Sequence, residues 1–133
     1  NITYVQLEDL VGKEVAARLK QASLDVYNKA SEYAEKRGFI IADTKFEFGH
    51  WQNDLILIDE VLTPDSSRFW DMELYRPGIP QPSFDKQYVR DYLEEIKWNK
   101  MPPAPVLPEN IVRETQRKYL EAERRLLGAD RRS

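Results

Sequence analysis

The chain predicts an α+β fold, and three observations carry that prediction. Apolar residues recur at steps of three and four near both ends, the spacing of one helical stripe. Between them, two short apolar runs, Phe39-Ile40-Ile41 and Leu55-Ile56-Leu57-Ile58, are bounded by glycine and polar turn residues. Charge is concentrated in and just after those runs rather than spread evenly.

The first helix is predicted from about Leu7 to Arg37, with its stripe at Leu7, Val11, Val15, Leu19, Ala22, Val26, Ala30 and Tyr33. Thr3 and Gln6 have the spacing of a capping box, Gly38 suits a C-terminal stop, and Gly12 is placed to split off a short first turn. A strand is predicted over Phe39–Phe48 and a second over Leu55–Asp59, joined by the turn residues Gly49 to Asp54. Val61 to Ser83 reads as irregular, because Pro64, Pro77, Pro80 and Pro82 exclude long regular structure. Ser83 is expected to cap a helix reaching about Ile96, with a stripe at Phe84, Tyr88, Tyr92 and Ile96. Met101 to Pro105 is a stiff connector. The last helix, Glu109 to Leu127, carries Ile111, Val112, Thr115, Tyr119, Ala122 and Leu126, then meets Gly128; the tail Asp130-Arg131-Arg132-Ser133 is expected to fray. Three main helices and a single hairpin result. An isolated hairpin is marginal in water, so the hairpin is expected to belong to a larger antiparallel sheet completed by another segment.

Composition narrows the function. With 133 residues, 41% hydrophobic and 32% charged, the chain has the makeup of one globular domain. A net charge of −3 argues against a general nucleic-acid binder. No apolar run is long enough to span a bilayer and no signal-peptide pattern is present, so no membrane partner is expected and the expected location is cytoplasmic. Zero cysteines exclude disulfides and thiolate metal sites, and the single His50 excludes a histidine-rich one. A metal here would be held by oxygen, which favours magnesium, manganese or calcium.

The segment Ile40–Trp70 concentrates Asp43, Lys45, Glu47, Asp59, Glu60, Asp65 and Arg68. A charge in a strand needs a partner, a metal or a ligand. Alternation puts Asp43, Lys45 and Glu47 on one face and Thr44, Phe46 and Phe48 on the other, the aromatic face being the expected core. If the register brings Asp59 opposite Glu47, the two carboxylates make an oxygen site suited to magnesium; a register slipped by one residue turns Asp59 away. Lys45 bridging Asp43 and Glu47 as a plain ion network is an equally open reading of the strand alone. The loop Leu62–Arg68 adds the Ser66 and Ser67 hydroxyls, Asp65 and Arg68, and a guanidinium in such a loop suits capture of phosphate or carboxylate. Lys86 and Arg90, four residues apart, project from one side of the helix predicted to begin near Ser83, where a solvated basic face is the ordinary alternative. Phe69 and Trp70 read as packing anchors, His50 as a turn residue, and the arginines of the last helix as a salt-bridged surface.

Ile41-Ala42-Asp43-Thr44-Lys45-Phe46-Glu47-Phe48-Gly49 and Ile58-Asp59-Glu60-Val61-Leu62-Thr63-Pro64-Asp65-Ser66-Ser67-Arg68-Phe69-Trp70 resemble the two signature segments of SAICAR synthetase, phosphoribosylaminoimidazole-succinocarboxamide synthase. Gln81 to Leu93 is similar to a longer-chain branch of that family, so the resemblance covers nearly the whole chain. It implies a SAICAR synthetase-like C-terminal lobe, and an ATP-dependent ligation of carboxyaminoimidazole ribonucleotide (CAIR) to L-aspartate in purine biosynthesis. It implies ATP and Mg2+ as cofactors, with Glu47 and Asp59 at the metal, and Lys45, Glu47 and Asp59 at the nucleotide. Arg68 and Arg90 would hold the ribonucleotide, with Ser66, Ser67 and Lys86 as further substrate contacts. Lys45 and Asp65 are the candidate catalytic residues.

The family's N-terminal half, with its nucleotide-covering lobe, has no counterpart here, and the five glycines are scattered singly with no phosphate cradle among them. With the absent initial methionine and the unpartnered strands, this gives the expectation of a C-terminal part, residues 1–133, that needs an N-terminal half as partner and is inactive alone. Self-association is left open. Two other classes remain: a non-catalytic assembly module, to be separated by magnesium-dependent nucleotide binding, and a small-molecule phosphotransferase, to be separated by aspartate dependence.

Overall fold

Helices gather at the two ends of the chain and strands in between, in a computed structural model that describes residues 1–128. The predicted tail Asp130–Ser133 lies outside the described residues. The order is α1 (Tyr4–Val11), α2 (Lys13–Glu35), β1 (Phe39–Thr44), β2 (Glu47–Trp51), β3 (Asp54–Ile58), β4 (Ser67–Asp71), α3 (Gln87–Glu95) and α4 (Glu109–Leu127). The fold class is α+β, as predicted, but with four helices and four strands in two antiparallel pairs.

The capping box is present: the Gln6 backbone N–H donates to Thr3 Oγ1 and the Thr3 N–H to Gln6 Oε1. Gly12 does more than trim the first turn. Its φ of +84° closes α1 and opens α2, a backbone conformation that residues with a Cβ avoid. At the other end α4 has the predicted bounds and stops at Gly128, φ +81°.

The strand predicted over Phe39–Phe48 is two strands. β1 pairs with β4, Ile40 opposite Trp70, Ile41 opposite Phe69, and Asp43 opposite Arg68 after a bulge. β2 pairs with β3, Glu47 opposite Ile58 and Trp51 opposite Asp54. The chain leaves the first sheet after Thr44, whose hydroxyl lies 2.9 Å from that of Ser67. β4 lies in the segment read as irregular; Pro64 and Pro77 flank it without entering it, so neither removes a ladder donor. The hairpin turn is also tighter than predicted. Gly49, His50 and Trp51 belong to β2, and only Gln52 and Asn53 turn the chain, Gln52 at φ +55°.

The core joins Ala34 of α2, Phe39 and Ile41 of β1, Phe69 of β4, Phe84, and Ala122 of α4. Phe39 meets Phe69 and Phe84 edge to face, at 5.7 and 4.8 Å between ring centres. Phe69 is thus an anchor, and Trp70 stacks on Tyr75. Phe46 and Phe48, expected to form the core, touch each other edge to face but stay half-buried outside it. Phe48 sits in the ribbon of β2 and β3, and Phe46 just before it; the ribbon has no third strand among the described residues. Its Ile56, Leu57 and Ile58 were expected to be buried in a central strand and are exposed.

Candidate active site

The charge-rich segment forms two separate clusters, because the break after Thr44 sends its halves to different sheets. In the first, Asp43 and Arg68 face each other across β1 and β4. Arg68 donates through Nε at 2.7 Å and Nη2 at 2.6 Å to the two oxygens of Asp43, a fork-to-carboxylate match. The guanidinium holds the Asp43 carboxyl below its usual value, against a small opposing effect of burial, and the carboxylate raises Arg68 in return. Both side chains remain more than half exposed, so the pair is open to an incoming anion.

In the second cluster Lys45 Nζ lies 2.5 Å from Glu47 Oε1 and 4.0 Å from Asp59 Oδ2. Ile58, not Asp59, stands opposite Glu47. Asp59 follows the end of β3 in the left-handed region, φ +63°, and there its carboxylate reaches the same ammonium as Glu47. The register is thus not the one that sets Asp59 opposite Glu47: the two carboxylates are related only through the Lys45 ammonium, and the expected single face of Asp43, Lys45 and Glu47 does not form. The hydrogen bond that the Lys45 ammonium donates to Glu47 raises it above its ordinary value.

The residues here fit a magnesium ion by donor chemistry. Two oxygen donors already collect one cation, the Lys45 ammonium, and no group of three or more acidic or histidine ligands forms among the described residues. Two carboxylates without a closed cage suit an ion that keeps several waters and shares itself with phosphates.

The intervening loop is built by its own hydroxyls. The Thr63 N–H donates to Ser66 Oγ at 3.1 Å, the Ser66 N–H to Thr63 Oγ1 at 3.2 Å, and the Ser67 N–H to Thr63 O at 3.0 Å. Thr63 Oγ1 also donates to Glu60 Oε2. Ser66 and Ser67, candidate substrate contacts, are thus engaged in shaping the loop, and Ser67 is buried. Lys86 is engaged as well: its ammonium donates to Pro64 O at 2.7 Å and to Asp65 O at 3.2 Å. Arg90 on α3 is exposed and forms no ion pair among the described residues.

Ser83 does not cap α3, whose N-cap is Lys86. Ser83 is buried instead, its hydroxyl donating at 3.0 Å to Oδ1 of Asp85. Asp85 is 1% exposed, and its Oδ2 has the Lys86 ammonium 3.7 Å away but no hydrogen bond. Asp65 accepts a hydrogen bond from the Tyr119 hydroxyl at 2.7 Å. Burial first, and then Asp65, pushes that hydroxyl well above its usual value. Sequence reading assigned no role to Asp85 and counted Tyr119 in an apolar stripe. The one available signal for Asp85 was its place beside Lys86 in the Gln81–Leu93 segment.

The remaining charged helix is mostly what its pattern predicts. Arg113 pairs with Glu109, and Arg117 with Glu114 and Glu121. Arg125 is the exception. It lies 3.9 Å over the Phe39 ring and donates to Asp71 Oδ2 and Gly38 O, so it belongs to the core rather than the surface. A cavity of about 300 Å³, lined by Trp70, Asp71, Gln81, Phe84, Gln87 and Lys118 among others, includes none of the predicted site residues. Its Gln81 and Gln87 side chains are bonded within the chain.

Two antiparallel strand pairs, one of them a hairpin, gather acids, bases and a hydroxyl-rich loop on an α+β frame. The SAICAR synthetase family model matches residues 1–105, and the chain belongs to that family. It is 53% identical over 128 residues to a phosphoribosylaminoimidazole-succinocarboxamide synthase of Geotalea uraniireducens, covering 96% of this chain and 43% of the relative. Among solved structures it resembles a SAICAR synthase of Saccharomyces cerevisiae in complex with SAICAR, with a TM-score of 0.92 and 45% identity, over 97% of this chain and 44% of that one. A SAICAR synthetase in complex with ADP superposes with a TM-score of 0.65 and 25% identity, over 99% of this chain and 46% of the other. The chain therefore spans less than half the length of these relatives.

Proposed function

We propose that this chain supplies the metal-and-substrate half of a ligase that joins CAIR to L-aspartate at the expense of ATP, giving SAICAR, ADP and phosphate. The observation that carries the reading is the gathering of Glu47 and Asp59 on Lys45, in a segment that matches the family. The ADP and SAICAR named in the two solved relatives support it.

The chemistry follows from the substrates. A carboxylate is a poor electrophile, since direct attack by an amine would have to expel oxide. Transfer of the γ-phosphoryl group to the CAIR carboxylate gives an acyl phosphate, and the aspartate amine then displaces phosphate. Phosphoryl transfer asks chiefly for alignment and charge neutralisation. Magnesium held by Glu47 and Asp59 would supply neutralisation at the nucleotide phosphates. The Lys45 ammonium, kept protonated by Glu47, adds a second positive charge there. Arg68 presents a fork that already grips a carboxylate, and with Arg90 it holds the ribonucleotide through phosphate or carboxylate. Asp65 stands in the loop that leads into β4 and Arg68, as a candidate catalytic group. In this reading the partner is the N-terminal half of the same enzyme, and the location is the cytoplasm.

The test is to complete the chain with the missing part of a relative's fold and follow ADP and SAICAR together. ADP release that requires CAIR, aspartate and magnesium supports the reading. ADP release independent of aspartate would replace the ligase by a phosphotransferase, and binding of magnesium-ATP without turnover of any of these substrates would sink the ligase reading.

A further inference from the structure

The family match ends at residue 105, yet α4, which lies beyond it, reaches back into the candidate substrate loop. Tyr119 stands 54 residues from Asp65 in sequence, and its hydroxyl donates to Asp65 Oδ1 at 2.7 Å. A second donor, Lys86, grips the same loop through the carbonyls of Pro64 and Asp65. Lys86 is in turn placed by Asp85, whose buried Oδ2 lies 3.7 Å from the ammonium. The helix that carries Tyr119 is itself fixed. Arg125 ties it to Asp71 and to Gly38 O, and Ala122 is buried in the core. The loop thus hangs between two donors that rest on rigid parts of the molecule. Asp65 is 63% exposed, so the Tyr119 bond and the Lys86 ammonium 3.8 Å from the same carboxylate oxygen add little to folding. They do fix where the loop's backbone runs, three residues before Arg68.

Resting on the function proposed above, we propose that Tyr119 is a positioning residue: through Asp65 it holds the 62–66 loop that leads into β4, where Arg68 receives the ribonucleotide. Burial and Asp65 raise the Tyr119 hydroxyl above its ordinary value, so it remains the donor in this contact at neutral pH. The assignment extends the site onto a helix outside the region matched by the family model. It also gives Lys86 and Asp85 a shared task in the same brace.

Tyr119→Phe tests it in the chain completed to full length, because the ring and its packing are kept while the donor is lost. The expected result is a rise of about threefold to tenfold in KM for CAIR, with kcat and the KM values for ATP and aspartate within about twofold. The double variant Tyr119→Phe/Asp65→Ala should be no worse in CAIR KM than Asp65→Ala alone, since both remove one interaction. An unchanged CAIR KM overturns the proposal. So does a parallel rise in all three KM values with a fall in Tm, or effects of the two substitutions that multiply. If the completed wild-type chain turns over none of these substrates, the ligase reading fails first. Amide exchange then still judges the brace, because Tyr119→Phe should speed exchange at Ser66 and Ser67, and unchanged rates there would overturn it.

Discussion

In the β1–β4 sheet, Phe39, Ile41 and Phe69 are buried together with Ala34 of α2 and Ala122 of α4, whereas in the β2–β3 ribbon Ile56, Leu57 and Ile58 keep between 38% and 40% exposure. Both are antiparallel pairs of similar length. The difference lies in what flanks them. One sheet is clasped by helices from both ends of the chain, and its charges, Asp43 and Arg68, satisfy each other across the strands. The other is an uncovered ribbon with its charges gathered beyond one end, on Lys45. Rigidity and chemistry are therefore divided: the first sheet fixes the frame, and the second carries the proposed metal ligands on an element that a bare hairpin holds only marginally.

The largest effect that tests this division is on stability. Phe39→Ala removes a fully buried ring with two edge contacts and a guanidinium over its face, and should cost about 3–5 kcal/mol in urea unfolding. Ile56→Ala in the same chain should cost about 1 kcal/mol or less, since much of the side chain is already in water. Equal losses would mean that the ribbon is as well buried in solution as the core sheet. In the completed protein the Ile56→Ala cost should grow if the remaining fold covers the ribbon.

Next in size is the chemistry placed on the ribbon. Glu47→Gln keeps the shape of the side chain but removes a charged donor beside Lys45 and Asp59. In the completed enzyme it should raise KM for magnesium-ATP by at least about tenfold, or about 1.4 kcal/mol, while aspartate KM moves far less. An unchanged magnesium dependence would remove Glu47 from the metal site.

These contrasts also explain what could be read in advance. Elements stabilised by neighbours in sequence were legible: the Thr3–Gln6 capping box, the α4 stripe with its stop at Gly128, and the motif that carries Lys45, Glu47 and Asp59. Strand partners were not. Phe39-Ile40-Ile41 could pair with Leu55–Ile58 or with Arg68–Trp70, both apolar enough, and only packing of Phe69 and Phe84 against Phe39 selects the second. Prolines on either side concealed β4. The Tyr119–Asp65 and Arg125–Asp71 contacts each cross 54 residues, and no local pattern announces a hydroxyl or guanidinium that turns inward from a charged helix.

A smaller effect separates the frame's partly buried ion pair from its exposed one. Burial pushes the Asp71 carboxyl up, but Arg125 and the Glu73 backbone N–H outweigh it and leave the group below its usual value. A carboxyl depressed by folding contributes stability above its unfolded value, near pH 4, and loses that contribution as pH falls through the folded value. Asp71→Asn should therefore cost about 1–2 kcal/mol at pH 7, and its difference from the parent chain should shrink below about pH 4. A penalty unchanged by acid would show that the Arg125 contact works by packing alone.

The smallest expected effect belongs to Asp43, and it bears most directly on how the frame sheet serves the site. Its pair with Arg68 has good fork geometry, yet both partners are more than half exposed, so water and salt screen the attraction. Asp43→Asn should lower stability by less than about 1 kcal/mol, and raising salt should erase most of that. The functional sign is the opposite of a simple loss. With its carboxylate partner neutralised, Arg68 gives up a competing anion, so CAIR should bind the completed enzyme at least as well as before if Asp43 serves only to hold the guanidinium. A weaker CAIR affinity would show that Asp43 orients Arg68 for the substrate, and that the cross-strand pair belongs to the site rather than to the frame.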